Sequence, residues 1–289
     1  MSAFSQMILD PTEAPIKAAD LDWTVSKQPL LKRDPTTGQL SLLPKHDALV
    51  RDDTGETISV VSKRYEPVQN HQTIDFFEQY SHYAKGAITH GGHWDNKHLA
   101  LFAELPLTTS PFGTQQEQQF YLMARSGHVP GHSLQIILTA LTVVCTNQFN
   151  FCDASNKGFF YQWHNTPFNK SAQNNATDTL NRARDFIETY RKQLQFLCTR
   201  SLTHVPAFLD SLFPTILGNP QPRIVAQIQK TYDENTWLGS TSETAKTRYA
   251  LWNCITEAID HTARGQGKSA LIGKGQTIKH KAFDTLLTA

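Results

Sequence analysis

Between Gly86 and Val144 the chain strings together short apolar runs whose breaks fall on turn formers. A period of two puts every second side chain on one face of a pleated strand, so this stretch specifies a sheet rather than a helix bundle. Gly86–Trp94 and His98–Leu105, joined by Asp95-Asn96-Lys97, read as strands, and Gln118–Ser126 follows a Gly/Pro/Gln loop. Ser133–Val144 is apolar throughout. Its β-branched residues point to a strand, and its length and leucine spacing equally allow a helix. Thr146–Asp153 reads as the start of a short helix.

Upstream, residues 1–20 read as a flexible arm with Pro11 and Pro15. Leu21–Arg33 alternates as a strand, Asp34–Gly38 is a turn, and Leu40–Leu43 is its return strand. Ala48–Arg51 and Thr57–Ser62 flank Asp53-Thr54-Gly55 as a second hairpin. Tyr65–Val68 is extended ahead of Asn70, which is expected to cap a helix over His71–Ala84. After Phe168 the period changes. Asn174–Cys198 places Leu180, Ala183, Ile187, Tyr190, Leu194 and Leu197 at helical spacing. Arg223–Tyr232 and Ala245–Thr262 read as further helices, and a short one closes the chain near Lys281–Leu287. The expected fold is therefore α+β. An antiparallel β-rich N-terminal half with hairpins and one packed helix precedes a helical C-terminal half. Its parts are the arm (1–20), a β-rich core domain (21–168) and a helical region with a basic Gly/Lys tail (169–289).

The net charge is +1 over 289 residues, so a nucleic-acid partner has to be recognised by local patches. Cys145, Cys152, Cys198 and Cys254 form no CxxC pair and read as reduced thiols of a cytoplasmic protein. The N-terminus lacks the basic start and apolar run of a signal peptide. The longest apolar run, LQIILTALTVVC, is roughly half of what spans a bilayer, so no membrane association is expected. No nucleotide fingerprint, GxSxG elbow, HExxH or paired CxxC occurs, and no cofactor is expected.

Several constellations carry chemistry. Lys63, Arg64 and Tyr65 put two cations and an aromatic at a strand end, the combination that holds phosphate and stacks a base. They equally describe a solvated strand end with Tyr65 on the core. Arg125 and His128 flank a glycine-bearing turn whose backbone N–H groups suit an anion. Cys145, Asn147 and His164 are the ingredients of a thiol nucleophile, although a cysteine behind LTVV also suits a buried position. His90, His93, Asp95 and His98 surround one hairpin turn. His93 and His98 would face each other there with His90 on the opposite face, so no metal is expected. From His261 to Lys281, Arg264, Lys268, Lys274, Lys279 and Lys281 have no acid among them, which suits contact with a phosphate backbone or a plain solvated tail.

Taken in order, LDWTV, VRDDTGETISVVSKRYEPVQN, the SGHVPGHS turn, VVCTNQF, WHNT, RYALWNCITEAIDH and GKGQTIKHKA resemble the phage/plasmid-like proteins of the YfjQ/YafZ type, a domain-of-unknown-function family. The resemblance covers nearly the whole chain and implies a setting on mobile elements and a role in their DNA maintenance. The chain departs from the pattern in two places. Thr142 precedes Val143-Val144-Cys145 where such proteins carry arginine, and Ser126–Ser133 replaces an acid-bearing glycine turn. The strand order from Gly86 also resembles, at the level of fold, the ring-forming single-strand annealing proteins of homologous recombination. That likeness implies single-stranded DNA as partner, a homo-oligomer and no catalytic residue. The expected function is single-strand binding or annealing for a phage or plasmid. Lys63 and Arg64 would hold phosphates, Tyr65 would stack, Arg125 and His128 would line the groove, and the tail cations would add grip. The alternatives are a thiol-based or metal-dependent enzyme acting on nucleic acid, and a protein-interaction module in phage–host conflict.

Overall fold

The computed structural model describes residues 9–94, 96–110, 117–142, 148–151, 160–163, 176–213, 223–237, 239–262 and 274–289. The described chain starts with a single helical turn, α1 (Pro15–Ala18), and three antiparallel strands in order: β1 (Val25–Arg33), β2 (Leu40–Arg51) and β3 (Thr57–Ser62). The expected loose arm is docked from Leu9 onward. Leu9 is buried and its N–H donates to Thr89 O, and Ala19 is buried below α1. The two strands expected at Leu40–Leu43 and Ala48–Arg51 are one strand. Pro44 is tolerated because the ladder with β1 jumps there, from Pro29 opposite Asp47 to Leu31 opposite Leu42, and the bulged residues need no ladder donor.

Helix α2 (Asn70–Tyr83) follows, with Ile74, Phe77, Tyr80 and Ser81 buried as their spacing predicts. Its cap is Gln69 rather than Asn70. Gln69 N–H donates to Gln72 Oε1, completing a reciprocal capping box. The same side-chain amide accepts from Val25 N–H at 3.0 Å and donates to Val25 O at 2.9 Å, so one glutamine ties the start of β1 to the start of α2.

The larger sheet is a meander of β4 (Ala87–Trp94), β5 (His98–Thr109), β6 (Gln118–Gly127), β7 (Ser133–Thr142) and β8 (Gln148–Phe151). A further strand, β9 (Phe160–Trp163), shares the outer edge of β7 with β8. Ser133–Thr142 is thus a strand. Its periodicity is ambiguous because both faces are shielded. Leu134, Ile136 and Leu138 are fully buried on one face, and Ile137 and Thr139 on the other. The short helix expected at Thr146–Asp153 is replaced by β8, whose aromatic residues pair along β7. One face of the sheet, with Leu101, Leu122 and Ile136, joins Phe77 and Tyr80 of α2 in a continuous core.

The helical half contains α3 (Ala176–Cys198), α4 (Val205–Leu212), α5 (Arg223–Glu234), α6 (Arg248–Glu257), a π-helical turn (Ala258–Thr262) and α7 (Lys274–Thr288). Along α3 the predicted Ala183, Tyr190, Leu194 and Leu197 are buried. Helix α6 is buried on all sides from Tyr249 to Thr256 and packs against α3, α5 and α7, so it forms the centre of this half. The architecture is the expected α+β, with antiparallel sheets first and helices after. No described helix is long and apolar enough to cross a membrane.

Candidate functional site

Lys63 and Arg64 lie in the turn that leaves β3, and folding adds two cations that their sequence neighbours do not reveal. Lys45 meets them because Lys63 N–H donates to Lys45 O. Lys27 reaches across from β1, its Nζ donating to Lys63 O at 3.2 Å and Tyr65 O at 2.9 Å. Lys27, Lys45, Lys63 and Arg64 thus gather at one corner of the small sheet. Two carboxylates temper them: Glu66 lies 3.7 Å from Lys27 Nζ, and Asp47 pairs with Lys63 Nζ. The Asp47 side chain is only 6% exposed against 46% for Lys63. Lys63 therefore compensates a buried carboxylate as well as facing solvent. Lys45 and Arg64 are exposed.

The other residues expected to accompany them point elsewhere. Tyr65 is buried, and its hydroxyl donates to Gly127 O at 3.3 Å. Burial pushes its phenol well above the usual range. It is a rivet between sheets, and its ring faces the core rather than a base. His128 is also buried, with Nε2 2.9 Å from Asn70 Oδ1 and its carbonyl accepting from Ser59 Oγ at 2.8 Å. Asn70 Nδ2 in turn donates to Leu21 O and Trp23 O, each at 3.2 Å. The glycine-bearing turn is therefore a clasp that joins the large sheet to α2 and the small sheet, with Gly131 supplying a φ of +82°. Arg125 is half-buried, and its Nε donates to Gln135 Oε1 at 2.6 Å across the β6–β7 ladder.

The hairpin histidines separate. His98 lies opposite Trp94, so it does not face His93 as expected, and its Nε2 is 3.3 Å from His132 Nε2. His93 Nε2 meets Asp20 Oδ2 at 3.1 Å, and His90 Nδ1 meets Thr89 Oγ1 at 2.9 Å. Burial lowers the His90 pKa to about 4. Asp95 lies outside the described residues, among which no three His, Cys, Asp or Glu side chains gather as around a metal ion. Cys145, Asn147 and His164 also lie outside them. Cys198 and Cys254 are free and buried, and burial pushes the Cys198 thiol up to about 12, which leaves it an inert core residue.

The tail divides in the same way. Arg264, Lys268 and the Lys274 side chain lie outside the described residues. Lys279 is wholly buried in α7, and its Nζ donates to Asp260 Oδ1 at 2.8 Å in the π-helical turn. It cannot reach a phosphate at the surface, which corrects its place in the basic tail. Lys281 is exposed and donates to Ser211 O at 2.8 Å.

Sequence reasoning also missed a cleft of about 360 Å³ at the opposite end of the small sheet, lined by Ile16, Trp23, Asp22, Asp52 and Asp53 among others. Hydrogen bonds from Ser26 and Thr24 lower the Asp52 pKa. Arg51 lowers that of Asp53 through a two-pronged bond and stacks 4.5 Å over the Trp23 ring. The sequence signal was present in Asp52-Asp53, and its partner Asp22-Trp23 lies too far along the chain to be joined to it by pattern.

A two-sheet α+β protein with a basic corner and an acidic cleft at opposite ends of its smaller sheet is the class defined so far. Residues 57–284 match the family described as Domain of unknown function (DUF932), and the chain belongs to that family. No curated protein matches it, and neither does any solved structure.

Proposed function

We propose that this protein binds nucleic acid through its phosphates, as a single-strand binding or annealing factor of a phage or plasmid. The observation that carries the reading is the convergence of Lys27 and Lys45 on Lys63 and Arg64. Cations drawn from two strands and the turn after a third form a fixed patch rather than a tail, which favours backbone contact and counterion release. With Tyr65 buried, its ring is not a stacking platform, and the cations of this corner contact phosphate, which carries no sequence information. The resemblance to mobile-element proteins supports the setting.

Lys45→Ala/Arg64→Ala tests the site, because both side chains are exposed and neither compensates the buried Asp47. Fluorescence anisotropy with a labelled single-stranded oligonucleotide across a salt series is expected to show salt-sensitive binding by the wild type. The double variant should bind more weakly, with a salt slope smaller by about 1.4 and an unchanged melting temperature. A wild type that ignores the oligonucleotide at low salt, or a double variant that binds equally well, overturns the proposal.

A further inference from the structure

Beyond the bulge, β2 outruns β3, which pairs with it only from His46 onward. Residues 30–43 therefore project as a two-stranded ribbon. Leu31 sits opposite Leu42 and Arg33 opposite Leu40, so these four share one face. The leucines are 54%, 52% and 60% exposed respectively, taking Leu31, Leu42 and Leu40 in turn. Lys32 and Arg33 lie along the ribbon with Lys27 and Lys45 at its base. Its carboxylate, Asp34, is turned inward to accept from the Thr36 and Thr37 N–H groups. A cluster of leucines this exposed on a narrow ribbon is the mark of a surface that meets a protein.

The far end of the same sheet has the complementary character. The cleft offers the half-buried Ile16 and the edge of Trp23, which is 6% exposed beneath Arg51, beside the exposed Asp22, Asp52 and Asp53. Asp20 and Glu56 stand near enough to Arg51 to raise its pKa further, behind the Asp53 bond that raises it most. Arg51 is thus already committed within the cluster. The ribbon lies away from its own cleft, because the one bulged strand β2 carries Leu40 in the ribbon at one end and Arg51 beside the cleft at the other, at most roughly 35 Å apart at the rise of a strand. A nucleic acid would satisfy the ribbon's cations and be repelled by the cleft. A second copy of the chain satisfies both.

We propose that the ribbon of one copy seats in the Trp23 cleft of the next. Its leucine face packs on Ile16 and the edge of Trp23, and Arg33 on that same face lies beside the aspartates, with Lys32 adding positive charge from the ribbon's other face. The two meeting surfaces differ, so the contact is heterologous, and its repetition closes a ring or extends a filament. The proposal is independent of nucleic-acid binding.

The test is light-scattering mass of the nuclease-treated full chain at low and high salt. Arg33→Glu/Leu42→Ser is the ribbon variant and Asp22→Lys the cleft variant. Lys32→Glu/Leu40→Ser stands as a second ribbon variant, and circular dichroism checks that each folds. The wild type is expected at a multiple of the 32.5 kDa chain mass, falling as salt rises. Each variant alone is expected at the mass of a single chain. An equal mixture of ribbon and cleft variants is expected to double that mass and go no further, because each supplies one intact surface. A single-chain wild type at low salt, a variant that keeps the wild-type mass, or a mixture that stays single-chain overturns the proposal.

Discussion

Phe102, Met123 and Ile137 of the large sheet expose no surface, whereas Leu31, Leu40 and Leu42 of the small sheet keep half or more of theirs. Both sets lie on antiparallel strands of ordinary length, so strand formation does not separate them. Covering does. The large sheet is shielded on both faces, and its strands read as nearly continuous apolar runs, with Leu99–Ala103 buried residue by residue. The small sheet is tied to the rest where Gln69 grips Val25, where Arg51 and Glu56 hold Asn96, and where Ser59 and Tyr65 reach the β6–β7 turn. Past those ties it carries leucine and lysine together. One sheet stabilises the fold, and the other presents a surface.

The same contrast holds for cations, and substitutions can test how far it extends. Phe102→Ala should cost about 3–5 kcal/mol in chemical denaturation, and Leu42→Ala less than about 0.5 kcal/mol. Equal costs would mean that the ribbon is packed in the isolated chain, which would break the contrast. Lys279→Ala strands the Asp260 carboxylate in the core and should cost about 3 kcal/mol, while Lys45→Ala should leave stability unchanged. A pH-dependent effect is expected at the edge of the large sheet. His90 has its pKa lowered from 6.5 to about 4 by burial, so the unfolded chain holds more protons than the folded one between those values. Stability should be full above pH 6.5 and fall as the pH drops toward 4, with a slope of at most about 1.4 kcal/mol per pH unit from this group. His90→Asn should flatten that slope, and an unchanged slope would assign it to other groups.

Sequence pattern was a good guide wherever the deciding interaction is local. Asp53-Thr54-Gly55 marks the β2–β3 turn, and Gly55 adopts a φ of +71° there. The α3 stripe from Ala183 to Leu197 is buried as its period requires. Pattern failed wherever a distant partner decides. Tyr65 beside two cations reads as a surface aromatic, and only the fold brings Gly127 to its hydroxyl. Lys279 sits in an acid-free run, and its counter-ion lies in the preceding helical segment. Lys27 and Lys45 belong with Lys63, a grouping that depends on strand register rather than on spacing. Half of the candidate site was therefore legible as residue types, and its assembly was not.

Pro29 lies on β1, an edge strand of the small sheet, between Lys27 and Lys32 along that strand. A proline offers no amide hydrogen to a strand laid alongside, and neighbouring lysines repel an identical strand brought into register. A ribbon with this much exposed leucine would otherwise be a template for fibril growth. With β1's edge blunted at the ribbon's base, the leucines are offered to a partner through their side chains rather than through backbone pairing along that strand.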